Sequence, residues 1–112
     1  MASFKTARIA EDMKRELSIM FRELKDPRIR GHMLSIVRVE VSGDLSLAKI
    51  YVSTVEGIET TKQVVEGLTS AMGYIKREIS QHLQLRKCPE LRFIPDDSIA
   101  YGDRLNQMMK DF

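Results

Sequence analysis

The chain has 112 residues, 43% of them hydrophobic and 30% charged. That composition describes one folded domain spanning residues 1–112 and excludes a disordered chain. Net charge is only +2, and a single cysteine, Cys88, rules out an internal disulfide. One thiol fits a reducing compartment, and we expect a cytoplasmic protein. Cys88 reads as a small filler beside Pro89, with a reactive thiol as the functional alternative.

The sign of the charge alternates along the chain. Residues 1–30 and 61–92 are each net +3, and residues 31–60 and 93–112 are each net −2. The basic excess is therefore local, which permits a nucleic-acid face without the overall charge of a histone-like protein. A plainly solvated surface would give the same pattern.

Ala10, Met13, Leu17, Met20, Phe21 and Leu24 recur at helical spacing. Ser3 or Thr6 is expected to cap this helix, and Pro27 to end it, because the residue before proline is pushed out of the α region. Lys5, Arg8, Arg15 and Arg22 lie mostly off the apolar stripe. Next, Val37, Val39 and Val41 alternate with polar residues, Ser42 to Ser46 is rich in turn formers, and Ala48, Ile50 and Val52 alternate again. The two runs predict an antiparallel hairpin with one buried face.

Val64, Leu68, Met72, Ile75, Ile79 and Leu83 form one apolar helical face over residues 60–85. Thr60 and Gln63 have capping-box spacing. A straight helix of that length would be about 39 Å long, against a radius of gyration of about 13 Å for a domain of this size. The stretch is therefore expected to bend at Ala71-Met72-Gly73. Leu91 and Phe93 bracket Arg92 in a third strand of about five residues between Pro89 and Pro95. Asp96-Asp97-Ser98 caps a short C-terminal helix over residues 98–112. The order is helix, strand, strand, bent helix pair, strand, helix: an α+β domain with helices on one face of a small sheet.

Enzymatic signatures are missing. His32 and His82 lack partners at ligand spacing, and there is no P-loop or dinucleotide fingerprint. The chain is expected to be a monomer that needs no metal or cofactor. No window has the apolar length of a membrane span or signal peptide.

The ordered landmarks resemble the ribosome-binding factor A family of bacteria, from about residue 4 to about residue 109. They are Asp26-Pro27-Arg28, then Val39, Ser42, Asp44-Leu45, Ala48-Lys49 and Val52-Ser53, then Ala71-Met72-Gly73 as an A-x-G element. Leu85-Arg86, Pro89-Glu90-Leu91, Phe93 and Asp96 close the set. The resemblance implies a type II KH-like domain in which A-x-G makes a sharp kink between two helices. It implies binding to the immature small (30S) ribosomal subunit, and a part in late maturation of 16S ribosomal RNA including processing of its 5′ end. It further implies an association with growth in the cold, and action beside other assembly factors, among them a GTPase. Two departures stand out. Lys76 replaces a common arginine, which keeps the charge but not the bidentate phosphate contact, and many relatives carry a longer C-terminal tail than a chain ending at Phe112.

The expected RNA-binding residues are Ser70, Ala71, Gly73, Lys76, Arg77, Arg86, Lys87 and Arg92. Small residues at the bend, Gly67 included, would let a nucleic-acid backbone approach, and the start of the second helix would favour phosphate. Arg77, Gln81 and Gln84 share a helical face, and Arg86, Lys87 and Arg92 extend the basic surface. Close packing is the alternative role for Gly67 and Gly73. With 6% aromatic residues, and only Tyr51 and Tyr74 expected at the surface, backbone and shape recognition is favoured over base stacking. Two rivals remain: a KH-like RNA binder with another target, and a helix-turn-helix DNA-binding protein.

Overall fold

The apolar stripe of the first helix covers the hairpin's buried face. The computed structural model describes residues 4–110 and gives the elements α1 (Phe4–Glu23), β1 (Ser35–Val41), β2 (Leu47–Ser53), α2 (Ile58–Ser70), α3 (Met72–His82), β3 (Glu90–Pro95) and α4 (Ser98–Lys110). The strands form one sheet in the order β1-β2-β3, with β1 antiparallel and β3 parallel to β2. The bent pair α2–α3 is the crossover that a parallel connection requires. This is the order expected of a type II KH-like domain, with α4 appended. α1 lies over β1, α2 over β2 and β3, and α3 against α1.

The core is made of Met13, Leu17 and Met20 from α1, Ala48, Ile50 and Val52 from β2, Val64 and Leu68 from α2, Ile75 and Ile79 from α3, and Leu91 and Phe93 from β3. Phe21 and Phe93 meet as tilted rings 6.0 Å apart. Burying roughly 1.5–3 kcal/mol of transfer free energy per large side chain is what orders these elements.

Several local expectations are corrected. α1 begins at Phe4, so Thr6 is a buried residue inside the helix and not its cap; Ser3 lies outside the described residues. α1 stops at Glu23, earlier than Pro27 demands. In β1 a bulge between Ile36 and Arg38 leaves Val37 as the extra residue. Ile36, paired with Val52, therefore takes the inward position assigned to Val37, because one added residue flips the side-chain alternation. The β1–β2 turn places Leu45 at φ +60. Ser42 and Ser46 hydroxyls and the Ser46 N–H all donate to Asp44 Oδ1, at 2.7–3.1 Å, and hold that unfavourable backbone in place.

α2 starts at Ile58 behind Gly57, whose φ is +110, so the Thr60–Gln63 capping box does not form. Buried Thr61 anchors the helix start instead. Its hydroxyl donates to the Gly57 carbonyl (2.9 Å) and accepts the Thr54 N–H (3.2 Å). α4 is capped as expected, with the Ser98 N–H donating to Asp96 Oδ1 at 2.7 Å. Gly102 does not interrupt it. Ala100 is buried, whereas Tyr101, Leu105, Met108 and Met109 are exposed; Phe112 lies outside the described residues.

His82 fastens the end of α3 to α1. Its Nδ1 lies 2.8 Å from Glu16 Oε2 and its Nε2 3.3 Å from Glu78 Oε2. The hydrogen bond to Glu16 raises the imidazole pKa above its ordinary value. A raised folded-state pKa means that the contribution is complete below about pH 6.5 and is lost as pH rises through the folded value. The melting-temperature gap between the parent and His82→Gln should therefore be wider at pH 6 than at pH 8.5. Equal gaps would show that the contacts carry no charge-linked stability.

Candidate nucleic-acid interface

The bend occurs where expected. Ala71 alone separates α2 from α3, at φ −93 and ψ 11. Its N–H is shared between the carbonyls of Gly67 (3.2 Å) and Leu68 (3.1 Å), and its carbonyl accepts Ile75 N–H (3.0 Å). Gly73 is exposed with no positive φ, and a Cβ built on it meets nothing within 4 Å. The kink thus needs no glycine conformation there, and open space surrounds the position. Gly67 is different. Its Cβ would lie 3.0 Å from Ile29 Cγ1 and 3.3 Å from Arg28 Cβ, so close packing accounts for Gly67, against the segment following α1.

That segment supplies a residue which sequence reasoning missed. Arg28 donates to Asp26 through Nε (3.1 Å) and Nη2 (2.8 Å), and Nη2 also donates to Ser70 Oγ at 3.0 Å. Hydrogen bonds from the Arg28 side chain and N–H hold the Asp26 carboxyl down at about 2. A guanidinium is thereby fixed beside the kink. Asp26-Pro27-Arg28 was visible as a landmark, but its contact with Ser70, 42 positions away, was not.

Beyond the kink, Lys76, Arg86 and Lys87 line one cleft of about 700 Å³ between the start of α1, the β1–β2 turn and the α3–β3 loop. Lys5 and Ile9 from α1, Leu45 and Ser46 from the turn, and Gln84, Leu85 and Cys88 complete its walls together with Asp44 and Glu90. Gln84 has left the helix at φ +52 and does not continue the Arg77–Gln81 face. Arg77 is exposed on α3 but does not line the cleft. Among the described residues Lys5, Lys76, Arg86 and Lys87 form no ion pair, whereas Arg15, Arg28, Arg38, Lys62 and Arg92 each face a carboxylate within 4 Å.

Arg92 does not join the other basic residues. Leu91 and Phe93 are buried beneath the helices, so strand alternation turns Arg92 to the opposite, open face of the sheet. There it pairs in register with Lys49 and sits 3.9 Å from Glu90. On that face Arg38 covers the Tyr51 ring at 4.0 Å. Tyr74 is exposed as expected, and Tyr101 is exposed as well. Among the described residues no group of three or more His, Cys, Asp or Glu could hold a metal ion, and no helix is long and apolar enough to cross a membrane.

Comparison with known proteins gives a consistent result. The sequence model of ribosome-binding factor A matches residues 5–109. The ribosome-binding factor A of Streptococcus mutans is 40% identical over 113 residues, covering 99% of this chain and 96% of its own. A solution structure of a Thermotoga maritima ribosome-binding factor A superposes with a TM-score of 0.76 at 31% identity, covering 88% of this chain and 93% of that one. A homology model of Thermus thermophilus ribosome-binding factor A, as fitted into an electron-microscopy map of a complex with the 30S subunit, gives 0.62 at 26% identity over 76% of this chain and 88% of that one. A sequence match over nearly the whole length, on a KH-like fold shared with these structures, means that the chain belongs to the ribosome-binding factor A family.

Proposed function

We propose that this protein binds the immature 30S subunit and promotes late maturation of its 16S ribosomal RNA, including processing of the 5′ end. It does so as a single-domain cytoplasmic monomer without catalysis, metal or cofactor. The reading includes a role in growth in the cold and a functional link to a small-subunit assembly GTPase. The observation that carries it is the likeness to the Thermus relative fitted into a 30S complex. The RNA-facing residues are Ser70, Ala71 and Gly73 at the kink, with Lys76, Arg77, Arg86 and Lys87 beyond it. Arg92, on the far side of the sheet, is the member of the expected set with the weakest support.

Cations that meet phosphates release counterions, and each contact contributes about 0.9 to the log–log salt slope on duplex nucleic acid. Four contacts would lower affinity about 100-fold between about 50 and about 200 mM salt. Co-sedimentation with small-subunit precursors across that range, beside duplex DNA of equal length, is the test. Strong, salt-sensitive binding to precursors is expected. Preference for DNA would overturn the reading, and an affinity flat with salt would assign the contact to protein surfaces.

A further inference from the structure

We propose that the cleft between the start of α1, the β1–β2 turn and the α3–β3 loop holds consecutive backbone phosphates of a ribosomal RNA strand. The proposal rests on the subunit-binding reading and gives it a location. Lys5 comes from the start of α1, and Lys76, Arg86 and Lys87 from α3 and the loop after it, yet all four line one concavity. None has an ion-pair partner among the described residues. Of the two carboxylates in the same walls, only Asp44 is held by short hydrogen bonds. Asp44 takes the Ser42 and Ser46 hydroxyls and the Ser46 N–H, and Glu90 lies 3.9 Å from Arg92.

Unpaired cations around a concave surface concentrate field and attract a polyanion. They come from three separate segments that line one open concavity, and a strand with a charge at every residue can meet all four. Ile9, Leu45 and Leu85 give the walls apolar surface without an aromatic platform. Such a site grips backbone and reads no base. Lys5 and the hairpin turn thus join the interface, while Arg92 on the far sheet face has no part in it.

Cys88 is the only thiol in the chain and lines this cleft, so its alkylation by iodoacetamide reports occupancy. Small subunits and protein-free 16S ribosomal RNA should each slow that reaction at least several-fold. Lys5→Glu with Lys87→Glu should weaken subunit binding about ten-fold or more and reduce the salt slope by about 1.4–1.8, two contacts at about 0.7–0.9 each. Lys62→Glu with Lys110→Glu makes the same change in net charge outside the cleft and should leave both near the parent. Unchanged alkylation in a subunit-bound parent refutes the cleft site while leaving subunit binding intact. Protection by subunits but not by free ribosomal RNA refutes it in favour of an acidic protein segment. A parent that does not bind subunits at all refutes the underlying reading instead.

Discussion

Ile79→Ala is expected to lower stability by about 2–5 kcal/mol, the range for deleting a large aliphatic side chain from a packed core. Ile79 is fully buried, and Ile75 is the other fully buried residue of α3. The residues beside them, Lys76, Arg77, Glu78 and Ser80, are polar and at least partly solvated. Removing one of two anchors leaves a cavity between α1, α3 and the sheet. At about 4 °C per kcal/mol for a chain of this length, the thermal midpoint should fall by about 8–20 °C. Ile79→Val keeps most of the volume and should cost about 0.5–1.5 kcal/mol. The loss should also reach the site, because α3 carries Lys76 and leads directly into Arg86 and Lys87. A circular-dichroism melt of both variants decides it. A drop below about 3 °C for the alanine variant would mean that α3 is not a core element.

What could be read from the sequence was whatever repeats at short range. The stripes of α1 and of α2–α3 follow helical spacing, and Ala48, Ile50 and Val52 follow strand spacing; each was legible because burial imposes its period on neighbouring residues. The bulge at Val37 was not, since an inserted residue leaves a valine-rich run looking regular. The side of the sheet to which Arg92 points was legible in principle: Leu91 and Phe93 on either side of it already required opposite faces. Closeness in sequence to Arg86 and Lys87 does not override that alternation. The meeting of Lys5 with Lys76 and Lys87, and of Arg28 with Ser70, depends on tertiary packing that no local pattern encodes. The parallel placement of β3 beside β2 falls in the same class.

Valine substitutions at the two glycines of the bent pair should have opposite consequences. Valine at Gly73 would strain the backbone if the kink needed a glycine-like conformation there. The geometry removes that reason, since Gly73 has no positive φ and its Cβ position is empty. Glycine is itself the costliest ordinary residue in a helix interior apart from proline, by about 0.8–1.0 kcal/mol relative to alanine. Gly73→Val should therefore leave stability within about 0.5 kcal/mol of the parent, with the better propensity of valine offset by its stiff χ1. Gly67→Val meets Ile29, which is itself buried, at 3.0 Å and the Arg28 Cβ at 3.3 Å. Neither can withdraw freely, because Arg28 is held by Asp26 and Ser70. Overpacking of this kind costs about 1–3 kcal/mol, or about 4–12 °C in the melt. If ribosomal RNA approaches the kink, the stable Gly73→Val protein is the one that should lose subunit binding, because its side chain fills the space that the backbone of the ligand would use. Melting and co-sedimentation measured on the same two variants separate these roles. A Gly73→Val protein that melts like the parent and also binds like the parent would leave the cleft, without the kink, as the RNA contact.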